Sequence, residues 1–277
     1  MTATEHPVFL APFDAVAIRY DETFSLSKIG QAQRASVWRE LAKTFSPRDR
    51  VLEIGCGTGI DACFMAERGV RVLACDSSSE MIRVATRRIQ ENGHQQLVQP
   101  LLLSAEDIAT LPTDAGFDGA FSNFGALNCV ADLRRLACDL AQRLRPGAIA
   151  LLCWMGSCCL WEMIWYLAQG NGHKAFRRWN RNGATARIAE GAFVQVYYPP
   201  VRLLARTFAP EFRLTSFQGI GVAVPPSYTE QWVQRHPRCF DLFRRADSWI
   251  GRGPGIRALA DHVLLRFERS FSGVVEG

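Results

Sequence analysis

At 277 residues the chain is too long for a minimal module and short for two full domains, so one large domain with insertions is expected. Hydrophobic residues make up 48% and charged residues 21%, which excludes a disordered or collagen-like chain. The net charge of +5 is uneven, −3 over residues 1–170 and +8 over residues 171–277, and this suits either a solvated Arg-rich surface or an anionic partner near the C-terminal part.

The first 45 residues read as helical, with Ile29, Ala32, Val37, Leu41 and Phe45 on one apolar face of a helix over 28–45. Pro47 ends that pattern. Val51–Ile54 is a short strand running into Gly55-Cys56-Gly57-Thr58-Gly59, and a helix follows to Arg68, closed by Gly69. Val70–Cys75 is the second strand; Ser78 is placed to cap a helix with Met81, Ile82, Ala85 and Ile89 inward. Leu97–Leu103 and Phe117–Phe121 are strands three and four. A helix over 131–144 stops at Arg145-Pro146-Gly147, where strand five begins. From Ala148 to Ala168 the only charge is Glu162, but Gly156-Ser157 divide the run into a strand and a cap helix rather than one membrane span. Phe212–Gly221 and His262–Phe267 read as two further strands, with Arg- and Trp-rich helical segments between.

Strand–helix alternation on this scale predicts an α/β fold: a doubly wound, mostly parallel seven-stranded sheet with helical cap insertions. The expected division is an N-terminal helical lid (1–46), a cofactor-binding core (47–156), a cap insertion (157–198), and completion of the core (199–277) with a second cap insertion at about 222–258. Ligands in such sheets bind at the C-terminal strand ends. The nine cysteines show no C-x-x-C pair and no zinc spacing, and residues 1–12 lack a signal-peptide pattern, so a reducing cytoplasm is expected.

The strongest signal is Glu53-Ile54-Gly55-Cys56-Gly57-Thr58-Gly59 at a strand end. Asp76 closes the next strand 23 residues after Glu53, where an acid accepts hydrogen bonds from ribose hydroxyls. A dinucleotide fingerprint needs Gly at position 60, which is Ile60, and no P-loop Gly-Lys-Ser/Thr is present. Together with Asp76-Ser77-Ser78-Ser79-Glu80-Met81, Phe117-Asp118 and Leu144-Arg145-Pro146-Gly147, the set resembles the class I S-adenosylmethionine-dependent methyltransferases of small-molecule type, over about residues 48–155.

The resemblance implies S-adenosylmethionine as cofactor, S-adenosylhomocysteine as product, and no metal. It implies that Gly55, Gly57 and Gly59 pass the cofactor, that Glu53 organises the turn, and that Asp76 binds the ribose with Ser77 beside it. Met81 packs on adenine, and Ala105 and Glu106 lie at the adenine edge, although many relatives have Asp-Ala there and Asp107 is the alternative acid. Asn123 in Ser122–Asn128 lines the cofactor or the acceptor, and Tyr20, in a segment resembling one that folds over the cofactor, is a lid residue. Acceptor contacts are expected from Arg34, Phe124, Trp154 and Trp161.

Methyl transfer is an in-line displacement needing alignment and, for some acceptors, proton removal. Candidate bases are His173, Tyr197 and Tyr198, then His236, His262 and Glu162, with His262 more readily read as structural. Lys174, Arg177, Arg178 and Arg181 are spaced as one helical face, either solvated or anion-binding. The expected function is methylation of a small apolar or aromatic acceptor of secondary metabolism, on oxygen before nitrogen or carbon. The alternatives are a lipid or isoprenoid acceptor at a membrane surface, with peripheral membrane contact, and a family member with non-methylating chemistry. Nucleic acid is the less expected partner, for want of an RNA-binding appendage. The oligomeric state stays open.

Overall fold

In the computed structural model, which describes residues 11–113 and 116–271, the apolar runs pair as β1 (Arg50–Ile54), β2 (Arg71–Asp76), β3 (Val98–Leu102), β4 (Phe117–Ser122) and β5 (Leu144–Met155). Between them lie α1 (Lys28–Thr44), α2 (Ile60–Ala66), α3 (Ser79–Glu91) and α4 (Leu133–Arg143). Side chains alternate across the sheet. In β5, Ala150, Leu152 and Trp154 join the core on one face, and Leu151 and Cys153 join the core on the other. Burial on both faces is why these strands read as unbroken apolar runs.

The chain after β5 continues through α5 (Leu160–Ala168), a short α6 (Gly172–Ala175) and an antiparallel hairpin of β6 (Ala184–Ala189) and β7 (Ala192–Val196). Then come α7 (Val201–Phe208), β8 (Phe212–Ile220), α8 (Glu230–Arg235), α9 (Pro237–Ile250) and β9 (His262–Arg269). The seven-stranded sheet has the order β3-β2-β1-β4-β5-β9-β8; β1 to β5 are parallel, and β9 is antiparallel to both its neighbours. The order reverses between β1 and β4, so the crevice lies above those strand ends.

Three caps fix the helices around that crevice. Ser27, Ser78 and Asp132 accept from the backbone N–H groups of Gly30, Met81 and Arg135 at 2.9, 3.1 and 2.9 Å. The apolar run over 148–168 divides as its sequence predicts: β5 ends at Met155, Gly156 N–H donates to Asp261 O at 2.8 Å, and α5 starts four residues later. No helix among the described residues is long and apolar enough to cross a membrane.

Two expectations change. The segment over 157–196 is only partly helical. Its end, Ala184–Val196, alternates in burial about the Glu190-Gly191 turn and forms the hairpin. The four cations at 174, 177, 178 and 181 do not share a helical face, because α6 ends at Ala175. Arg178 turns inward to Glu162 Oε2 and Asp261 Oδ1, both at 2.7 Å, and Arg177 also pairs with Glu162.

The second insertion leaves the end of β8 and packs on α1. Val224, Val233 and Phe240 cluster with Ile29 and Ala32, and the Glu230 carboxylate accepts from the N–H groups of Lys28 and Ile29 at 3.0 and 3.1 Å.

Candidate active site

The turn after β1 is shaped by glycine where nothing else fits. Gly55 has φ +71°, and a Cβ there would lie 2.2 Å from that of Ala126. Gly57 has φ +53°, and a Cβ there would meet nothing within 4 Å, so its bare backbone faces open space. That space is a cavity of about 310 Å³ over the ends of β1, β2 and β4.

Asp76 stands at its edge. One carboxylate oxygen accepts from Gly57 N–H at 2.8 Å and the other from Ser78 N–H at 2.9 Å, and the carboxylate borders the cavity. Burial raises its pKa, and these backbone donors oppose the rise. Glu53, directly below the turn, is 1% exposed, and its Oε2 has no hydrogen-bond partner. Burial, then the neighbouring Asp61, push its carboxyl well above the usual range, against the pull of Arg34.

Open backbone at Gly57 and the Asp76 carboxylate bordering the same cavity fit a ligand rich in hydroxyl and amino donors. S-adenosylmethionine is such a ligand. Among the residues expected to hold it, Tyr20, Gly55, Gly57, Asp76, Ser77, Met81, Ala105, Glu106 and Asn123 line the cavity, whereas Glu53 and Gly59 lie behind it.

The roof comes from the chain's periphery. Phe13 and Tyr20 descend from the N-terminal segment, and Ala186, Ile188, Val194 and Val196 are the inward positions of the hairpin. Asp14 Oδ1 accepts from Ser78 Oγ at 2.5 Å and Glu80 N–H at 3.2 Å, tying the segment to α3. Asp21 accepts from Thr58 Oγ1 at 2.7 Å and pairs with Arg88, tying it to the glycine turn.

At the inner end lies a buried polar cluster centred on Asp61. It accepts from Arg34 Nη1 at 2.6 Å, Trp38 Nε1 at 2.7 Å and Asn123 Nδ2 at 3.0 Å. The Arg34 guanidinium lies 4.8 Å from the Phe124 ring centroid. Burial pushes the Tyr20 phenol up to about 12, Arg34 opposing. Thus Tyr20, Arg34, Asn123 and Phe124, distant in sequence, converge here. Asp61 was missed; its signal is an acid set in the otherwise apolar run Ile60–Ala66.

Other expected residues lie elsewhere. Trp154 is fully buried with its ring against Phe208, inside the sheet core rather than at an acceptor. Trp161 donates to Ala223 O at 3.1 Å and joins the two insertions. Among the proposed bases, His173 is exposed on α6, and His236 is exposed with its ring on Trp232. Glu162 is held by Arg177 and Arg178, and His262 is buried beside Asp261 with its ring edge-on to Phe124. Tyr197 and Tyr198 line a separate groove of about 750 Å³. None of these six lines the cofactor cavity among the described residues.

Comparison with known proteins agrees with this geometry. Residues 51–147 match a family model described as a methyltransferase domain. A demethylmenaquinone methyltransferase of Clavibacter sepedonicus is 31% identical over 146 residues, 52% of this chain and 56% of that protein. A tRNA 5-carboxymethoxyuridine methyltransferase of Escherichia coli (strain K12) is 31% identical over 147 residues, 50% of this chain and 54% of that protein. The chain spans about half the length of the curated relatives it matches.

Two solved structures share the fold. An S-adenosylmethionine-dependent methyltransferase from Mesorhizobium loti superposes with TM-score 0.54 at 17% identity, covering 84% of this chain and 98% of that one. The [4+2]-cyclase SpnF does so with TM-score 0.56 at 15% identity, covering 86% and 80%. Residues 51–147 are therefore similar to a methyltransferase domain, set in a fold shared with S-adenosylmethionine-dependent methyltransferases, and the cavity described above fits that cofactor.

Proposed function

We propose that the chain transfers the methyl group of S-adenosylmethionine to a small acceptor whose apolar or aromatic body lies beneath the hairpin. The carrying observation is one cavity with two characters. Gly57, Asp76 and Ser77 form a polar cradle, and Phe124, Met155, Ile188 and Val194 present an apolar wall. Fold likeness alone is insufficient support, because the [4+2]-cyclase SpnF has the same architecture.

When bound, the cofactor supplies an electrophilic methyl on a sulfonium. This chain's residues do the rest by position. Asp76 offers its carboxylate to the cofactor with Glu53 supporting the turn from behind, while Phe13, Tyr20 and the hairpin roof the cavity. Cys129, its thiol raised to about 11 by burial, and Tyr20, at about 12, keep their protons at neutral pH and are poor bases. With no histidine lining the cavity among the described residues, the acceptor best suited is one that ionises unaided, such as an acidic phenol or enol. This keeps oxygen as the favoured acceptor atom.

The test is transfer from methyl-labelled S-adenosylmethionine into cell extract, with products separated into lipid, small aqueous, RNA and protein fractions and Asp76→Ala as control. Label in a small-molecule fraction, lost in the variant, is expected. Label confined to RNA would establish the second reading instead. That reading draws on the tRNA-modifying relative and the charge of +8 over residues 171–277.

A further inference from the structure

The face of α5 that turns away from the core is apolar and bare. Leu160, Ile164 and Leu167 recur at i, i+4 and i+7, with Ile164 55% and Leu167 49% exposed. Trp161 and Glu162, on the opposite side, turn inward to Ala223 and to the two arginines. The chain then folds back through α6 and adds Phe176 and Trp179, packed ring to ring at 4.8 Å, the latter 59% exposed. Large apolar side chains exposed within so short a stretch of chain mark a contact with something less polar than water.

Charge says which kind of contact. Between residues 157 and 182 the chain has four cations, Lys174, Arg177, Arg178 and Arg181, and a single acid, Glu162. That acid is buried and used by Arg177 and Arg178, so it offers nothing to an approaching cation. Lys174, with its ammonium over the Tyr166 ring, and the exposed Arg181 remain directed outward beside the apolar side chains. Exposed apolar and aromatic side chains with Lys174 and Arg181 outward, and the one acid of residues 157–182 withdrawn, complement an anionic bilayer. They are a poor match for an acidic, polar protein surface.

The location is also apt. Trp179 and Arg181 line the 750 Å³ groove together with Tyr197, Tyr198 and Arg206, and Val130, also in that lining, borders the cofactor cavity.

We propose that the α5–Trp179 face docks this protein on an anionic lipid bilayer. The consequence that a lipid-dissolved acceptor is methylated rests on the function proposed above; the docking does not.

Flotation with phosphatidylcholine vesicles containing phosphatidylglycerol, and with phosphatidylcholine alone, tests the proposal on the full chain. Binding to the anionic vesicles, weakened by salt and at least tenfold stronger than to the neutral ones, is expected. Lys174→Gln and Arg181→Gln should each weaken it about fivefold, and Ile164→Ser with Trp179→Ser should reduce it more than tenfold.

Titration with S-adenosylhomocysteine checks that these variants remain folded, since none of the four residues lines the cofactor cavity. Asp76→Ala should keep vesicle binding while losing the cofactor, so failure of the methyltransferase reading leaves docking separately decided. The proposal is overturned if the folded protein ignores anionic vesicles or if the double variant binds them equally. It is also overturned if light scattering shows a dimer that the double variant disperses and no vesicle binding accompanies it.

Discussion

Glu53 and Asp76 are both carboxylates beside the glycine turn, and their surroundings set them apart. Asp76 accepts from the Gly57 and Ser78 N–H groups, so Asp76→Ala removes an acceptor from Gly57 as well as the one proposed for the ribose. S-adenosylhomocysteine affinity should fall by about 2 kcal/mol, some thirtyfold, by titration calorimetry, and unchanged affinity would remove Asp76 from the site. Glu53 keeps one oxygen buried and unpartnered, and its carboxyl is raised. A raised acid favours the folded state below the ordinary Glu range and loses that contribution as pH rises through its raised value. Glu53→Gln should therefore stabilise the ligand-free chain at neutral pH by about 1 kcal/mol while weakening cofactor binding. A lower melting temperature in this variant would contradict that account. Both acids were legible in the sequence because glycine spacing and strand ends anchor them. Asp61 was not, since its role depends on Arg34 and Trp38 arriving from α1 and Asn123 from the end of β4.

Elements of regular period were legible almost to their ends: helix 28–45 against α1 at Lys28–Thr44, and strand 212–221 against β8 at Phe212–Ile220. The hairpin was not, because Ala184–Val196 is short, half-buried and placed in an insertion otherwise rich in Arg and Trp. Its inward Ile188 faces the cavity, so Ile188→Asp should leave the fold intact and raise the acceptor KM about tenfold with little change in kcat. An unaltered KM would mean that the hairpin does not touch the acceptor. The Arg178 network escaped a sequence reading for the opposite reason: helical spacing put four cations on one face, but the helix ends before Arg177. Burial raises the Asp261 carboxyl, yet His262 and Arg178 beside it outweigh this and hold it below the carboxylate range. A depressed acid stabilises the fold above its unfolded value of about 3.9 and loses that contribution as pH falls below it. Removing Arg178 leaves Glu162 and Asp261 buried with fewer partners, so Arg178→Met should cost about 3 kcal/mol at neutral pH. Its loss of stability on acidification should also be shallower than that of the wild type. Parallel acid-unfolding curves would show that the ion pairs are not what couples the cap to pH.

On the scale of the whole molecule, the sheet was readable because each β–α unit carries its own punctuation, whereas the roof joins parts separated by most of the chain. Phe13 and Tyr20 meet Ile188 and Val194 over a cavity floored by Gly57, and only packing brings them together. The N-terminal segment reaches that position through Asp14 on Ser78 and Asp21 on Thr58 and Arg88. Closure and cofactor binding should then be one coupled event. At a hundredfold excess over Kd, S-adenosylhomocysteine stabilises a chain by about 2.7 kcal/mol, which raises Tm here by about 5 °C. Asp21→Asn loosens the tie without altering any residue that lines the cavity. If it weakens binding tenfold, the same ligand concentration leaves about 1.4 kcal/mol, half the shift. Differential scanning fluorimetry reads this directly. A full shift in Asp21→Asn would mean that the segment rests over the cofactor without helping to hold it, and the roof's contribution would then fall to the hairpin.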